Sequence, residues 1–160
     1  MHNLLAGNVT GVDELRLDRQ VCFALYSASR AVTQLYRPLL DELGLTYPQY
    51  LVMLVLWERG PATVKELGAA LELDSGTLSP LLKRLAAAGL VTRDRRAVDE
   101  RSVEVRLTAA GERLETRAAG VPRKIAKATG LRVGELSTLR HDLRALTEVV
   151  GTRELNPDET

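Results

Sequence analysis

The sequence predicts a mainly α fold with a small β-ribbon wing: a winged helix-turn-helix domain whose N- and C-terminal helices form a dimerisation region. Three observations predict it. Residues 63–107 read as helix, tight turn, helix and a two-stranded ribbon with a charged tip. Nearly every other segment has helical spacing, so strands are expected only in the ribbon. The first long helix, finally, exceeds what a wing domain needs for its own core.

The 160 residues are read as one domain: an arm at 1–16, dimerisation helices at 17–44 and 108–150, a winged helix-turn-helix at 46–107, and a frayed tail at 151–160. With 45% hydrophobic and 27% charged residues the composition is that of a globular protein. One Phe and one Trp leave the core to Leu, Val and Ala. There is no apolar run of membrane-spanning length and no secretory leader pattern, and the single cysteine fits a reducing cytoplasm.

Taken in order, residues 1–16 show no strong periodicity and read as a loose lead-in. Asp18 is the expected N-cap of the first long helix, with Leu17 as its staple. Val21, Leu25, Ala28, Val32, Leu35 and Leu39 form its stripe as far as Leu43, and Gly44 ends it. Pro38 lies inside and is expected to kink or loosen one turn. Thr46 and Gln49 open the next helix as a capping box, with Pro48 in its first turn, and Gly60-Pro61 closes it.

Thr63 and Glu66 are the capping box of the first helix of the motif, which ends near Leu71. Glu72-Leu73-Asp74 is the turn, and Asp74 or Ser75 caps the second helix. Leu78, Leu81, Leu82 and Leu85 give that helix one core-facing stripe, and Gly89 is its left-handed stop. Its other side carries Ser75, Gly76, Thr77, Ser79, Lys83 and Arg84. Small polar groups let a helix end approach base edges, and cations reach the flanking phosphates.

The ribbon is read as strands at Val91–Arg93 and Ser102–Leu107, joined by a charged connection from Asp94 to Arg101. From Lys83 to Arg106 the charges sum to +3, while the whole chain carries +1. A ribbon tipped by Arg95, Arg96 and Arg101 suits a minor groove, and Asp99 can hold Arg101 as a bidentate pair. Helix-turn-helix and cationic ribbon together point to double-stranded DNA.

After the ribbon, Thr108 caps a helix that bends or breaks at Gly120-Val121-Pro122, resumes through Ile125 and ends at Gly130. A last helix spans about Val133 to Val150 with Leu136, Leu139, Leu143 and Leu146 as its stripe. With no second domain to cover, these tail helices are expected to join the first helix in a homodimer interface.

No catalytic set, phosphate loop or metal-ligand set emerges, so neither enzyme, metal nor cofactor is expected. Cys22 stands near a helix start, where the macrodipole favours thiolate, and Tyr26 follows it by one turn. Phenols can donate to a thiolate, and a thiolate attacks the O–O bond of a peroxide to give a sulfenic acid. Packing is the other role open to this cysteine and these tyrosines.

The segments LDRQVCFALYSASRAVTQLYRPLLDELGLTYPQYLVMLVLWE, DSGTLSPLLKRLAAAGLVTRDR and DERSVEVRLTAAG carry a family resemblance. Over about Leu17 to Gly111 the chain resembles the MarR family of winged-helix regulators, and within it the organic hydroperoxide-sensing repressors called OhrR. The resemblance implies a homodimer on an inverted-repeat operator, with Cys22 as peroxidatic thiol. It implies that Tyr36 and Tyr47, with Tyr26 close by, hydrogen-bond that thiol across the dimer interface. Ser75, Thr77, Ser79, Pro80 and Lys83 match the recognition helix, and Asp99 and Arg101 the wing. The tail lacks the second cysteine of some relatives, so a low-molecular-weight thiol is the expected partner of oxidised Cys22. An alternative is release by a small aromatic or phenolic ligand, with Cys22 structural.

Overall fold

The computed structural model describes residues 11–96 and 99–151, those at 11, 12, 95, 96 and 99–101 by their backbone alone. The chain divides into two compact units, Met1–Ala119 and Gly120–Thr160.

In the first unit, α1 (Gly11–Glu14) and a 3-10 turn (Leu17–Arg19) precede α2 (Val21–Asp41). The short α1 is a departure from the structureless lead-in expected there. Asp18 does not cap α2. Its carboxylate accepts from the Arg16 guanidinium at 3.1 and 3.0 Å, and Gln20 stands at the cap position with no side-chain bond to the helix. A carboxylate two residues from an arginine has a charged partner, and that pair outcompetes neutral amide donors. α2 runs unbroken through Pro38 and stops at Asp41, two residues before the expected end.

α3 (Tyr47–Arg59) starts with the expected capping box: Thr46 Oγ1 accepts from the Gln49 amide and the Gln49 side chain accepts from the Thr46 amide at 2.8 Å. α4 (Val64–Leu71) repeats the device, Glu66 accepting from both the amide and the hydroxyl of Thr63 at 2.7 Å. α5 (Ser75–Ala87) follows, then β2 (Val91–Arg96) and β3 (Asp99–Leu107). The ribbon is not alone. Ala62–Thr63 forms β1, which pairs antiparallel with β3, so the sheet has three strands in the order β1-β3-β2. Two residues are too few for a pattern to register in sequence, and pairing alone makes them a strand.

The core of this unit joins the helices to the sheet. Leu40, Met53, Leu56, Leu67, Leu78, Leu82, Leu85, Val52 and Val105 are all under 2% exposed. α6 (Ala109–Ala118) is capped by Thr108, whose hydroxyl donates to the Gly89 carbonyl at 2.6 Å. Gly111 lets α6 settle on the end of α5: a Cβ there would lie 2.1 Å from the Leu90 carbonyl oxygen. The Trp57 indole donates to the Gly111 carbonyl at 3.0 Å, tying α3 to the same point.

The second unit holds α7 (Val121–Ala128), which starts where the sequence expected a break, and α8 (Val133–Gly151). Val121 and Ile125 are buried, whereas α8 buries none of its residues. Among the described residues no helix is long and apolar enough to cross a membrane.

Candidate DNA-reading surface and sensing helix

The turn between α4 and α5 is tight because two positions permit it. Glu72 takes the left-handed conformation at φ 55°, and Gly68 lets the Leu73 carbonyl approach to where a Cβ would meet it at 2.8 Å. The chain then enters α5 through Asp74, which accepts from the Thr77 amide and the Thr77 hydroxyl, both at 2.8 Å. These bonds hold the Asp74 carboxyl below its ordinary pKa, the amide bond being the larger cause.

The leucine stripe of α5 is buried throughout, so the opposite side is fixed outward. Ser75, Thr77, Pro80, Lys83 and Arg84 are exposed there, and Ser79 is half-buried. Pro80 lies inside α5 without ending it. Lacking an N–H, it leaves the Gly76 carbonyl without its helical donor on this face. Thr77 has its proton committed to Asp74, so its hydroxyl meets an outside partner as an acceptor. The sequence reading treated Asp74 only as a cap, whereas its second oxygen also holds the Thr77 hydroxyl.

The ribbon differs from expectation in length. The ladder runs from Val91↔Leu107 through Arg95↔Val103 to Arg96↔Asp99, with an irregularity between Arg95 and Arg96. The charged stretch read as a long connection is therefore mostly strand, because backbone pairing is indifferent to side-chain charge. Only Ala97 and Val98 separate the strands, and they lie outside the described residues. The strands place Arg95, Arg96, Asp99 and Arg101 at the wing tip by backbone; the expected Asp99–Arg101 side-chain pair lies outside the described residues. Nearer the base, Glu104 is buried and pairs with Arg106, which balances its like-charged cross-strand neighbour Asp94.

On α2, Cys22 is the second helical residue, not the fourth as an Asp18 cap would make it, and it is exposed. Around it Val21, Phe23 and Tyr26 are exposed too, and Val32 and Leu35 continue that uncovered apolar surface. Tyr26 accepts a hydrogen bond from Arg30 Nη1 at 3.1 Å. Tyr36 and Tyr47 are brought together, ring centroids 4.8 Å apart, and Tyr50 adjoins Tyr36 at 5.9 Å. Burial raises the pKa of all three phenols, and their mutual repulsion as phenolates adds to this at Tyr36 and Tyr50. The sequence reading did not single out Tyr50.

The structure does not bring this tyrosine pair to the cysteine of the same chain. Cys22 and Tyr36 are fourteen residues apart on one continuous helix, a separation of roughly 21 Å along its axis. A cleft of about 580 Å3 opens beside Tyr47, bordered also by Arg30, Thr33, Arg37 and Leu45. In the second unit, Leu139, Leu143, Leu146 and Val149 leave an exposed stripe along α8.

Residues 34–116 match the family described as transcriptional regulator SarA/Rot. The organic hydroperoxide resistance transcriptional regulator of Bacillus subtilis (strain 168) is 46% identical over 138 residues, which are 86% of this chain and 94% of the relative. Among solved structures, reduced AbfR bound to DNA, a protein of Staphylococcus epidermidis, aligns with a TM-score of 0.71 at 35% identity, covering 88% of this chain and 99% of that one. Overoxidised AbfR bound to DNA aligns with a TM-score of 0.70, at the same identity and coverage.

Proposed function

Given that the chain belongs to the MarR family of winged-helix DNA-binding transcription regulators, in its organic hydroperoxide-responsive branch, we propose that it represses as a homodimer and senses hydroperoxide at Cys22. The dimer sits on an inverted-repeat operator, with Ser75, Thr77, Ser79 and Pro80 in the major groove and Lys83 and Arg84 at its phosphates. The wing residues Arg95, Arg96, Asp99 and Arg101 lie in the adjoining minor groove.

One observation carries the sensor reading. Cys22, Ser29 and Tyr36 recur at seven-residue spacing along one side of α2, with the cysteine exposed and the tyrosine too far along to serve it. A second copy removes the distance. If Tyr36 of one protomer meets the partner's Cys22, two-fold symmetry requires the reverse contact as well. The two α2 helices then run antiparallel with the dyad near Ser29. Ser29, exposed in the single chain, is small enough there to let the helices approach closely. The uncovered stripes of α2 and α8 supply the apolar surface of such an interface.

The thiolate of Cys22 attacks the outer oxygen of the hydroperoxide. An S–O bond forms, the O–O bond breaks, and the leaving alkoxide takes a proton to become an alcohol; sulfur loses two electrons as a sulfenic acid. Tyr36 and Tyr47, kept protonated by burial, are donors to the thiolate before reaction. With a single cysteine in the chain, the sulfenic acid condenses with a low-molecular-weight thiol, forming S–S and releasing water. That cap is larger than two added oxygens, and the overoxidised state of AbfR is described bound to DNA. The capped form is accordingly the releasing species. To lower operator occupancy from 99 to 1 per cent it must disfavour the DNA-bound state by about 5.5 kcal/mol.

A mobility shift on the DNA upstream of the chain's own gene tests this reading, with organic hydroperoxide and thiol added to wild type and Cys22→Ser. The expected result is release of wild type and retention of Cys22→Ser. Equal release of both would transfer the sensing role to a ligand in the cleft beside Tyr47.

A further inference from the structure

We propose that Arg30 is a positioning residue of the sensor: by bonding the Tyr26 oxygen it commits that phenol's proton to Cys22. The proposal rests on the reading of Cys22 as the reactive thiol. Cys22, Tyr26 and Arg30 follow one another at four-residue intervals, so they stack on one side of α2. Arg30 Nη1 donates to Tyr26 Oη at 3.1 Å, and the guanidinium carbon lies 5.4 Å from the ring centroid. One cation therefore holds both the oxygen and the ring.

The consequence follows from counting donors. A guanidinium only donates; a phenol has one proton to give and lone pairs to receive. While Arg30 occupies a lone pair, the proton of Tyr26 remains free to be given. The side chains one turn to either side of Tyr26 are Cys22, Phe23, Ser29 and Arg30. Phe23 and Arg30 accept nothing, Ser29 is a neutral acceptor, and Cys22 alone becomes an anion. Bonds to ionised groups are about twice as strong as neutral ones, so the thiolate takes the proton's direction. Donation from Arg30 also polarises the O–H, strengthening it as a donor. Without Arg30 the Tyr26 oxygen has no fixed donor, and the ring is free to turn into solvent.

The test is the pH dependence of Cys22 alkylation by iodoacetamide in the reduced full-length protein. Compared are wild type, Arg30→Ala, Arg30→Lys, Tyr26→Phe, the Arg30→Ala/Tyr26→Phe double variant, and Arg37→Ala. Arg37 borders the same cleft as Arg30 and serves as the charge control. Arg30→Ala and Tyr26→Phe should each raise the apparent thiol pKa by ~0.5–1 unit. The double variant should move no further than Tyr26→Phe alone, while Arg30→Lys keeps most of the effect and Arg37→Ala titrates as wild type. The proposal is overturned if Arg30→Ala titrates as wild type, if its shift adds to that of Tyr26→Phe, or if Arg37→Ala produces the same shift. Operator release by hydroperoxide, measured on the same samples, separates the two levels. A wild type that stays on its operator removes the sensor reading and this proposal with it. A wild type that releases, beside an Arg30→Ala variant with unchanged titration and release rate, removes this proposal alone.

Discussion

The Thr77 hydroxyl donates to the Asp74 carboxylate at 2.8 Å while the Thr77 amide donates to its other oxygen at the same distance. One acidic residue thereby closes the first turn of α5 and orients a side chain on its exposed polar side.

This coupling sets a pH dependence. The Asp74 pKa is lowered in the folded chain, so its contribution to stability is complete above the ordinary carboxylate value and is lost as pH falls through the lowered one. Asp74→Asn should abolish that part of the acid transition and weaken operator binding at neutral pH. Acid titration of helicity and a mobility shift check the two effects separately.

Lys83 and Arg84 stand exposed on α5 beyond its leucine stripe. Lys83→Ala should weaken operator and random duplex alike and reduce the slope of log affinity against log salt by about 1. A change confined to the operator would assign Lys83 to a base instead of a phosphate.

Gly111 has no room for a methyl group, since a Cβ would sit 2.1 Å from the Leu90 carbonyl oxygen. Gly111→Ala should destabilise by about 1–3 kcal/mol or more through overpacking, and weaken the Trp57–Gly111 bond. Gly134→Ala, where nothing lies within 4 Å of the added atom, should be neutral or stabilise by roughly 0.5–1 kcal/mol. Urea unfolding followed by Trp57 fluorescence compares the pair.

The buried phenols predict behaviour at high pH. The Tyr36 pKa is raised by burial and by Tyr47. Its contribution is therefore complete below the ordinary value near 10 and lost as pH rises through the folded value. Tyr36→Phe should flatten this part of the alkaline transition. It should also slow oxidation of both Cys22 thiols in dimers whose two chains carry the substitution. Mixed dimers keeping one wild-type Tyr36 should show a fast and a slow cysteine, seen as biphasic alkylation.

Leu82 and Leu85 are fully buried in α5. Truncating either to Ala should cost about 2–5 kcal/mol, measured by the same unfolding experiment, with operator affinity falling as the helix loosens.

Capping boxes and leucine spacing were legible in the sequence because their partners lie within four residues. Thr46 with Gln49, Thr63 with Glu66, and Leu78 through Leu85 all behave as the local pattern requires. The Asp18 cap was misread because two local partners competed, and only geometry chose Arg16 over the helix amides. β1 was hidden for a different reason. Strand pairing joins residues some forty positions apart, such as Ala62 and Val105, and leaves no periodic trace in so short a segment.

Residue type and near-neighbour spacing were enough to set the helix-turn-helix, the outward polar side of α5 and the position of the one cysteine on which the proposed sensing rests. Tertiary structure decided what distance alone could decide. It set Tyr36 against Tyr47 and apart from the Cys22 of its own chain, because the unbroken stretch of α2 between Cys22 and Tyr36 fixes fourteen residues as a rigid length.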